Sequence, residues 1–349
     1  MMKTRMLDMA QALELCSKSP GKRLFSATTQ EIMSGLTSDI YFFRTMEILK
    51  AAGTESVPVT MEIFTSRPGV FAGIEEVKIL LSGKNVTVHA LPEGENMNEK
   101  EVVIRLEGPY CEFGLYETGI LGILASSSAW ATAARECKDM AGDIPVICFG
   151  SRHIHPAVAP VMERAAFIGG CDGVSNVLAA HLLETKPAGT MPHAMILILG
   201  DTVKAAKLYH EVMPGDTSRI VLVDTLKDEA EETLRVAEAL QKNLDGVRLD
   251  TPAERGGVTP DLVREVRARL DLAGFEHVKI FVSGGIRPER IPILVEAGAE
   301  GFGVGSYISD APPIDMTMDI KEVMGKPLAK RGRIPGKTDN PRLIKMNLS

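Results

Sequence analysis

Lys279-Ile280-Phe281-Val282-Ser283-Gly284-Gly285 carries a short apolar run that stops at a serine and two glycines. Two neighbouring stretches end in the same way: Asp245-Gly246-Val247-Arg248-Leu249-Asp250 and Gly301-Phe302-Gly303-Val304-Gly305-Ser306. Brief apolar runs of this kind read as fully buried parallel strands. In α/β folds the C-terminal ends of such strands open into the loops that bind ligands. Gly284-Gly285 and Gly303-Val304-Gly305-Ser306 let backbone N–H groups approach a phosphate closely. Arg248 and Asp250 project from one face of one strand. They offer a cation and a hydroxyl-binding carboxylate, and the three strand ends together read as a sugar-phosphate site.

The same rhythm extends outward. Strands are expected at 144–149, 170–174, 194–199, 219–224, 245–250, 278–283 and 300–305, with helices between them. Thr259-Pro260-Asp261 is an N-cap with proline at the first helical position. Leu262, Val263, Val266 and Leu270 then share one face, and Gly274 ends that helix. In 227–242, Ala230, Leu234, Ala237 and Leu240 lie on one side. Repeated strand–helix units mean a parallel α/β fold. Candidate ligand residues stand at nearly every strand end rather than at one switch point. That favours an irregular, incomplete α/β barrel over a doubly wound sheet.

The first part of the chain differs. Residues 57–65 alternate apolar and polar, as a half-buried strand does, and 85–91 and 101–107 are similar. A small antiparallel or mixed β domain is expected there. The segment 112–141, rich in Ala, Ser, Leu and Ile, reads as a buried helix or two joining the domains. The basic, proline-rich 326–349 reads as a solvated tail.

The chain has 349 residues and a net charge of −7, which argues against nucleic-acid binding by bulk electrostatics. An anionic small substrate needs only a local arginine cluster. No stretch resembles a transmembrane helix, and Met1 to Met6 lead into no apolar core, so no signal peptide is expected. The five cysteines are odd in number and lack a CxxC pair, which fits a reducing cytoplasm without a disulfide framework or zinc site.

Several strand ends carry alternatives. Phe149-Gly150-Ser151-Arg152 either stacks on a flat ring and binds an acid group or simply starts a surface helix. His153 and His155 have no third ligand nearby, so no metal site is expected. Ser175 and Asn176 either face a ligand or cap the next helix. His193 sits at a strand–loop junction, in a structural or a catalytic role. Asp224, ending Ile220-Val221-Leu222-Val223, is a strand-end acid that needs a partner. Arg248 and Asp250 either neutralise each other or face a ligand. No strand end carries the lysine an aldolase-type barrel would want.

With these residues assembled, the chain resembles nicotinate phosphoribosyltransferases, most closely the short bacterial and archaeal form. The likeness rests on the order and spacing of several stretches. They are Leu36-Thr37-Ser38-Asp39-Ile40-Tyr41-Phe42, Glu112-Phe113-Gly114-Leu115-Tyr116-Glu117-Thr118, Phe149-Gly150-Ser151-Arg152, Asp172-Gly173-Val174-Ser175-Asn176 and Gly189-Thr190-Met191-Pro192-His193. Leu222-Val223-Asp224-Thr225, Gly246-Val247-Arg248-Leu249-Asp250-Thr251-Pro252, the two glycine loops and Lys330-Arg331-Gly332-Arg333-Ile334-Pro335-Gly336 follow.

The resemblance implies a type II phosphoribosyltransferase fold, with an N-terminal α/β domain over 1–120, a barrel over 121–310, and 311–349 returning to the first domain. It implies a homodimer with shared active sites. Phe149, and Tyr41 of the partner subunit, would sandwich the pyridine ring. Arg152 would bind phosphate or carboxylate oxygens, and Ser175 and Asn176 would lie near the carboxylate. Arg248 would flank the base and Asp250 would hold the ribose hydroxyls. Ser283, Gly284, Gly285, Gly303, Gly305 and Ser306 would cradle the 5′-phosphate. Phosphoribosyl transfer from PRPP to nicotinate would use Mg²⁺, with ATP coupled through phospho-His193 and Asp224 placed behind that histidine or near the magnesium–pyrophosphate. His153 departs from the second arginine of many relatives. Transfer to nicotinamide or quinolinate, or a non-catalytic phosphosugar-binding barrel, are the alternatives; quinolinate, with two carboxylates, asks for a denser basic pocket than 149–156 supply.

Overall fold

The computed structural model describes residues 6–19 and 21–348. Residues 1–5, over most of which no leader is expected, lie outside them. The chain divides into two compact units, 1–129 with 312–349, and 130–311.

The first unit is built on a six-stranded sheet in the order 326–327, 316–323, 58–65, 102–109, 87–90 and 344–345. All its neighbouring strands run antiparallel. The alternation read in 57–65 is only partly expressed, because Met61, Glu62 and Ile63 are all buried. Glu62 tolerates burial because Arg105 and the Thr338 N–H donate to it. Three of the six strands come from the C-terminal segment, so the tail completes this unit instead of lying free in solvent. Lys330 and Arg333 both pair with Asp319, and Arg333 sits 4.8 Å over the Phe64 ring. The segment 112–141 forms one long helix, Glu117–Ala141, preceded by short turns. Among the described residues no helix is long and apolar enough to cross a membrane.

The second unit holds six parallel strands in the order 173–174, 146–148, 301–304, 279–282, 246–249 and 220–222. The two end strands are not joined, so the barrel is open. Residues on the outer face, including Val146, Cys148, Val247, Leu249, Ile280, Val282, Phe302 and Val304, are buried under the helices. Each such aliphatic side chain contributes on the order of 1.5–3 kcal/mol by leaving water. Val263, Val266 and Leu270 form the buried face of helix Pro260–Leu272, capped by Thr259. Inward-pointing Ile147, Phe149, Arg248 and Phe281 are only half-buried. Gly301 and Gly303 make room for two of these rings: a Cβ would lie 2.2 Å from Phe281 at Gly301 and 2.4 Å from Phe149 at Gly303.

One expected strand is absent. Residues 193–199 form a helix, His193–Leu199, begun after Pro192 and ended by Gly200 in the left-handed conformation, φ 77°. Of its apolar residues only Ile196 is fully buried, while Leu197 and Ile198 are exposed. An unbroken apolar run fits a strand or a helix equally; proline before it and glycine after it settle the matter. The missing strand falls in sequence between the two end strands, where the sheet stays open.

Candidate active site

The strand ends of the second unit form one rim. The Phe149 N–H donates to the Val304 carbonyl at 2.7 Å, which sets the 149–153 loop beside 303–306. The 303–306 and 283–285 stretches are neighbours because their strands pair. Gly284 and Gly285 have φ of 83° and 62°, a region that favours glycine. A Cβ at Gly284 would also stand 3.0 Å from Asp250 Oδ1. A cavity of about 380 Å³ is lined by Phe149, Arg152, Ser175, Arg248, Asp250 and the glycine loops, among others. It includes Ser283, Gly303, Gly305 and Ser306. A second compartment of about 420 Å³ adjoins Phe149 and Arg248, walled by Ile147, Ile220 and Phe281.

Arg248 does more than pair with Asp250, 3.4 Å away. It donates to Thr190 Oγ1, and its guanidinium lies 5.6 Å over the Phe149 ring. Burial holds this guanidinium below its ordinary pKa, against the opposing pull of Asp250. Its Nε is buried without a hydrogen-bond partner among the described residues. Asp250 Oδ1 accepts from Ser283 Oγ at 2.9 Å.

On the far flank a third hollow of about 710 Å³ joins Arg152, His193, Asp224, Asp250 and Gly284-Gly285. His193 Nε2 stands 3.7 Å from Asp224 and 3.5 Å from Asp250, and His193 Nδ1 is 3.0 Å from Thr225 Oγ1. Neither Asp224 carboxylate oxygen has a hydrogen-bond partner among the described residues. Burial raises the Asp224 pKa, with His193 pulling it the other way.

His193, Asp224, Arg248, Asp250, Phe149, Arg152 and Ser175, together with the glycine loops, thus surround adjoining hollows. Asn176 is used by the fold: its side chain accepts from the N–H groups of Leu178 and Ala179 and donates to Ser151. Tyr41 belongs to the first unit, exposed on helix Ile40–Ala51 with its ring against Phe42. Thr190 and Glu163 were not legible in the sequence. Thr190 precedes the helix rather than ending a strand, and Glu163 is an acid inside a largely apolar helix beside Arg164, a pattern that signals a buried partner only once the packing is known.

Glycine-rich strand ends, a strand-end acid and nearby arginines on an open α/β barrel line one cavity, a lining suited to an anionic sugar phosphate. Comparison with known proteins bears on which kind. Residues 39–128 match the family described as quinolinate phosphoribosyl transferase, N-terminal domain, and 130–319 its C-terminal domain. The chain belongs to the quinolinate phosphoribosyl transferase family. It is similar to the crystal structure of nicotinate-nucleotide pyrophosphorylase from Pyrococcus furiosus, with a TM-score of 0.86 and 48% identity, over 90% of this chain and 82% of that one. It is 31% identical to nicotinate phosphoribosyltransferase pncB2 of Mycobacterium tuberculosis over 83% of this chain, and spans 66% of that relative, just under two thirds. It is 23% identical to a probable carboxylating nicotinate-nucleotide pyrophosphorylase of Methanothermobacter thermautotrophicus, over 79% of this chain and 92% of that protein.

These findings overturn the assignment to nicotinate phosphoribosyltransferase and its ATP-phosphorylated histidine. Motif order alone did not separate the two kinds of enzyme, since both occur among this chain's relatives. The basic pocket that 149–156 seemed too sparse to supply gains Arg248, which reaches Phe149 from another strand.

Proposed function

We propose that this protein condenses quinolinate with PRPP to give nicotinate mononucleotide, pyrophosphate and CO₂, a step of pyridine nucleotide and NAD formation. The observation that carries the reading is the convergence of Arg152, Arg248 and Asp250 with the Gly284-Gly285 and Gly303–Ser306 loops on one cavity. Membership of the quinolinate phosphoribosyl transferase family supports it.

The glycine loops would hold the 5′-phosphate and Asp250 the ribose hydroxyls, with Ser283 fixing the carboxylate's direction. Arg152 and Arg248 would hold the two acid groups of the pyridine. The ring nitrogen bonds to the ribosyl carbon as the bond to pyrophosphate breaks, through an oxocarbenium-like state. Positioning and charge stabilisation supply most of the acceleration. Magnesium would arrive bound to the pyrophosphate group of PRPP, as part of the substrate. Asp224, whose carboxylate oxygens accept no hydrogen bond among the described residues, would face the magnesium–pyrophosphate group from that flank, beside His193. Once the ring nitrogen is quaternary, the bond from ring carbon 2 to its carboxyl group breaks. The electron pair stays on carbon 2, CO₂ leaves, and carbon 2 takes up a proton. Loss of CO₂ drives the reaction forward, so no coupled ATP hydrolysis is needed. A homodimer in which Tyr41 of one copy approaches the ring of the other remains part of this proposal, as does a cytoplasmic setting for the five free cysteines.

Incubating purified protein with quinolinate, PRPP and Mg²⁺ tests the reading. Nicotinate mononucleotide and CO₂ should form in equal amounts, unchanged by ATP. Absence of both products would overturn it.

A further inference from the structure

Glu163 is fully buried on helix Ala159–Gly169, yet both of its carboxylate oxygens accept hydrogen bonds from two separate loops. Oε1 accepts from Ser151 Oγ and from Ser175 Oγ, each at 2.7 Å. Oε2 accepts from the Asn176 backbone N–H at 2.7 Å. Asn176 Nδ2 donates to Ser151 Oγ at 3.2 Å, closing the ring of contacts. Burying a carboxylate is costly unless it is hydrogen-bonded, and short bonds to an ionised acceptor are the strong kind.

Two consequences follow for the cavity that Ser151 and Ser175 line. The loops after strands 146–148 and 173–174 are pinned to one point, so the loop bearing Phe149 and Arg152 is held through Ser151. Each serine also has a single proton to donate, and both protons are committed to Glu163. Toward the cavity the two hydroxyls can only accept.

We propose that Glu163 is a positioning residue acting through Ser151 and Ser175: it fixes the loop that carries Arg152 and makes this wall of the cavity a hydrogen-bond acceptor. A carboxylate or phosphate docked on that wall would meet lone pairs without a donor. The acid groups of the substrate are therefore turned toward Arg152 and Arg248, and the substrate group that meets the serines is a donor such as a sugar hydroxyl. This rests on the phosphoribosyl-transfer reading above.

The test measures KM and kcat, and separately the Kd of quinolinate and of magnesium-PRPP by calorimetry, for Glu163→Gln, Ser175→Ala and the double variant. Glutamine has nearly the same shape but cannot accept from all three donors. Glu163→Gln should raise KM and Kd for quinolinate about 10- to 100-fold, as a small misplacement of positioning groups does, with a smaller fall in kcat. The double variant should be no worse than Glu163→Gln alone, because the two residues act as one unit. Wild-type affinity in Glu163→Gln, a loss confined to kcat, or losses that multiply in the double variant would overturn the proposal. If Glu163→Gln does not fold, Ser151→Ala and Ser175→Ala decide, and unchanged quinolinate KM in both would overturn it. If the wild type neither binds nor turns over quinolinate, the proposed function fails by itself. The Glu163 claim then stands or falls on the magnesium-PRPP Kd, which Glu163→Gln must weaken.

Discussion

Arg248 lies over the face of Phe149, its guanidinium carbon 5.6 Å from the ring centroid. The cation therefore occupies ground where a pyridine ring would otherwise stack, and an acid-bearing ring must meet both groups together. Lysine would keep the charge and lose the planar fork that reaches Thr190 and Asp250. Arg248→Lys should raise the KM for quinolinate by about 10- to 100-fold, the equivalent of about 1.5–3 kcal/mol for charged hydrogen bonds. Steady-state kinetics with each substrate varied in turn checks this; an effect on PRPP alone would place Arg248 elsewhere.

Asp250 is held by Ser283 on one oxygen and faces Arg248 and His193 with the other. If it grips the ribose, Asp250→Ala should lower kcat/KM for PRPP by at least about 100-fold, since such a contact strengthens as the ribosyl carbon gains charge. Near-normal kinetics would mean that Asp250 serves only to neutralise Arg248.

Gly303 gives Phe149 its place. A Cβ there would stand 2.4 Å from the ring, so Gly303→Ala must push the ring aside, with overpacking costing about 1–3 kcal/mol. The variant should melt at a lower temperature and bind quinolinate more weakly. An unchanged quinolinate KM would show that the Phe149 ring does not contact the acceptor.

In the first unit, burial raises Glu117 from the ordinary 4.5 to about 7, helped by Asp319 and opposed by Lys330. A carboxyl with a raised pKa in the fold takes its proton there more readily than in the unfolded chain. Its contribution therefore turns against folding as pH rises from 4.5 to about 7 and is constant above that. Glu117→Gln removes the ionisation. Its melting temperature relative to wild type should climb as pH goes from 5 to 8; a pH-independent difference would mean that Glu117 ionises freely.

Much of the barrel was legible in the sequence. The runs ending at Asp250, Gly285 and Ser306 are strands meeting at one cavity, because a buried parallel strand needs an apolar run and a tight βα turn needs glycine. The run at 193–199 was not legible as a helix, since its composition is equally at home in a strand. Strand order was not legible either. Nothing local says that the 301–304 strand lies between 146–148 and 279–282, and so the approach of Arg248 to Phe149 appears only in three dimensions. The sequence reading set Arg248 beside the base but weighed only 149–156 when judging how basic the pocket is, and the acceptor was misjudged.

The most direct measurement offers the enzyme equimolar quinolinate and isotopically distinguishable nicotinate with limiting PRPP and Mg²⁺, and reads the label in the mononucleotide by mass spectrometry. The account predicts a product carrying the quinolinate label, with one CO₂ released for each. A product carrying only the nicotinate label, with no CO₂, would contradict it.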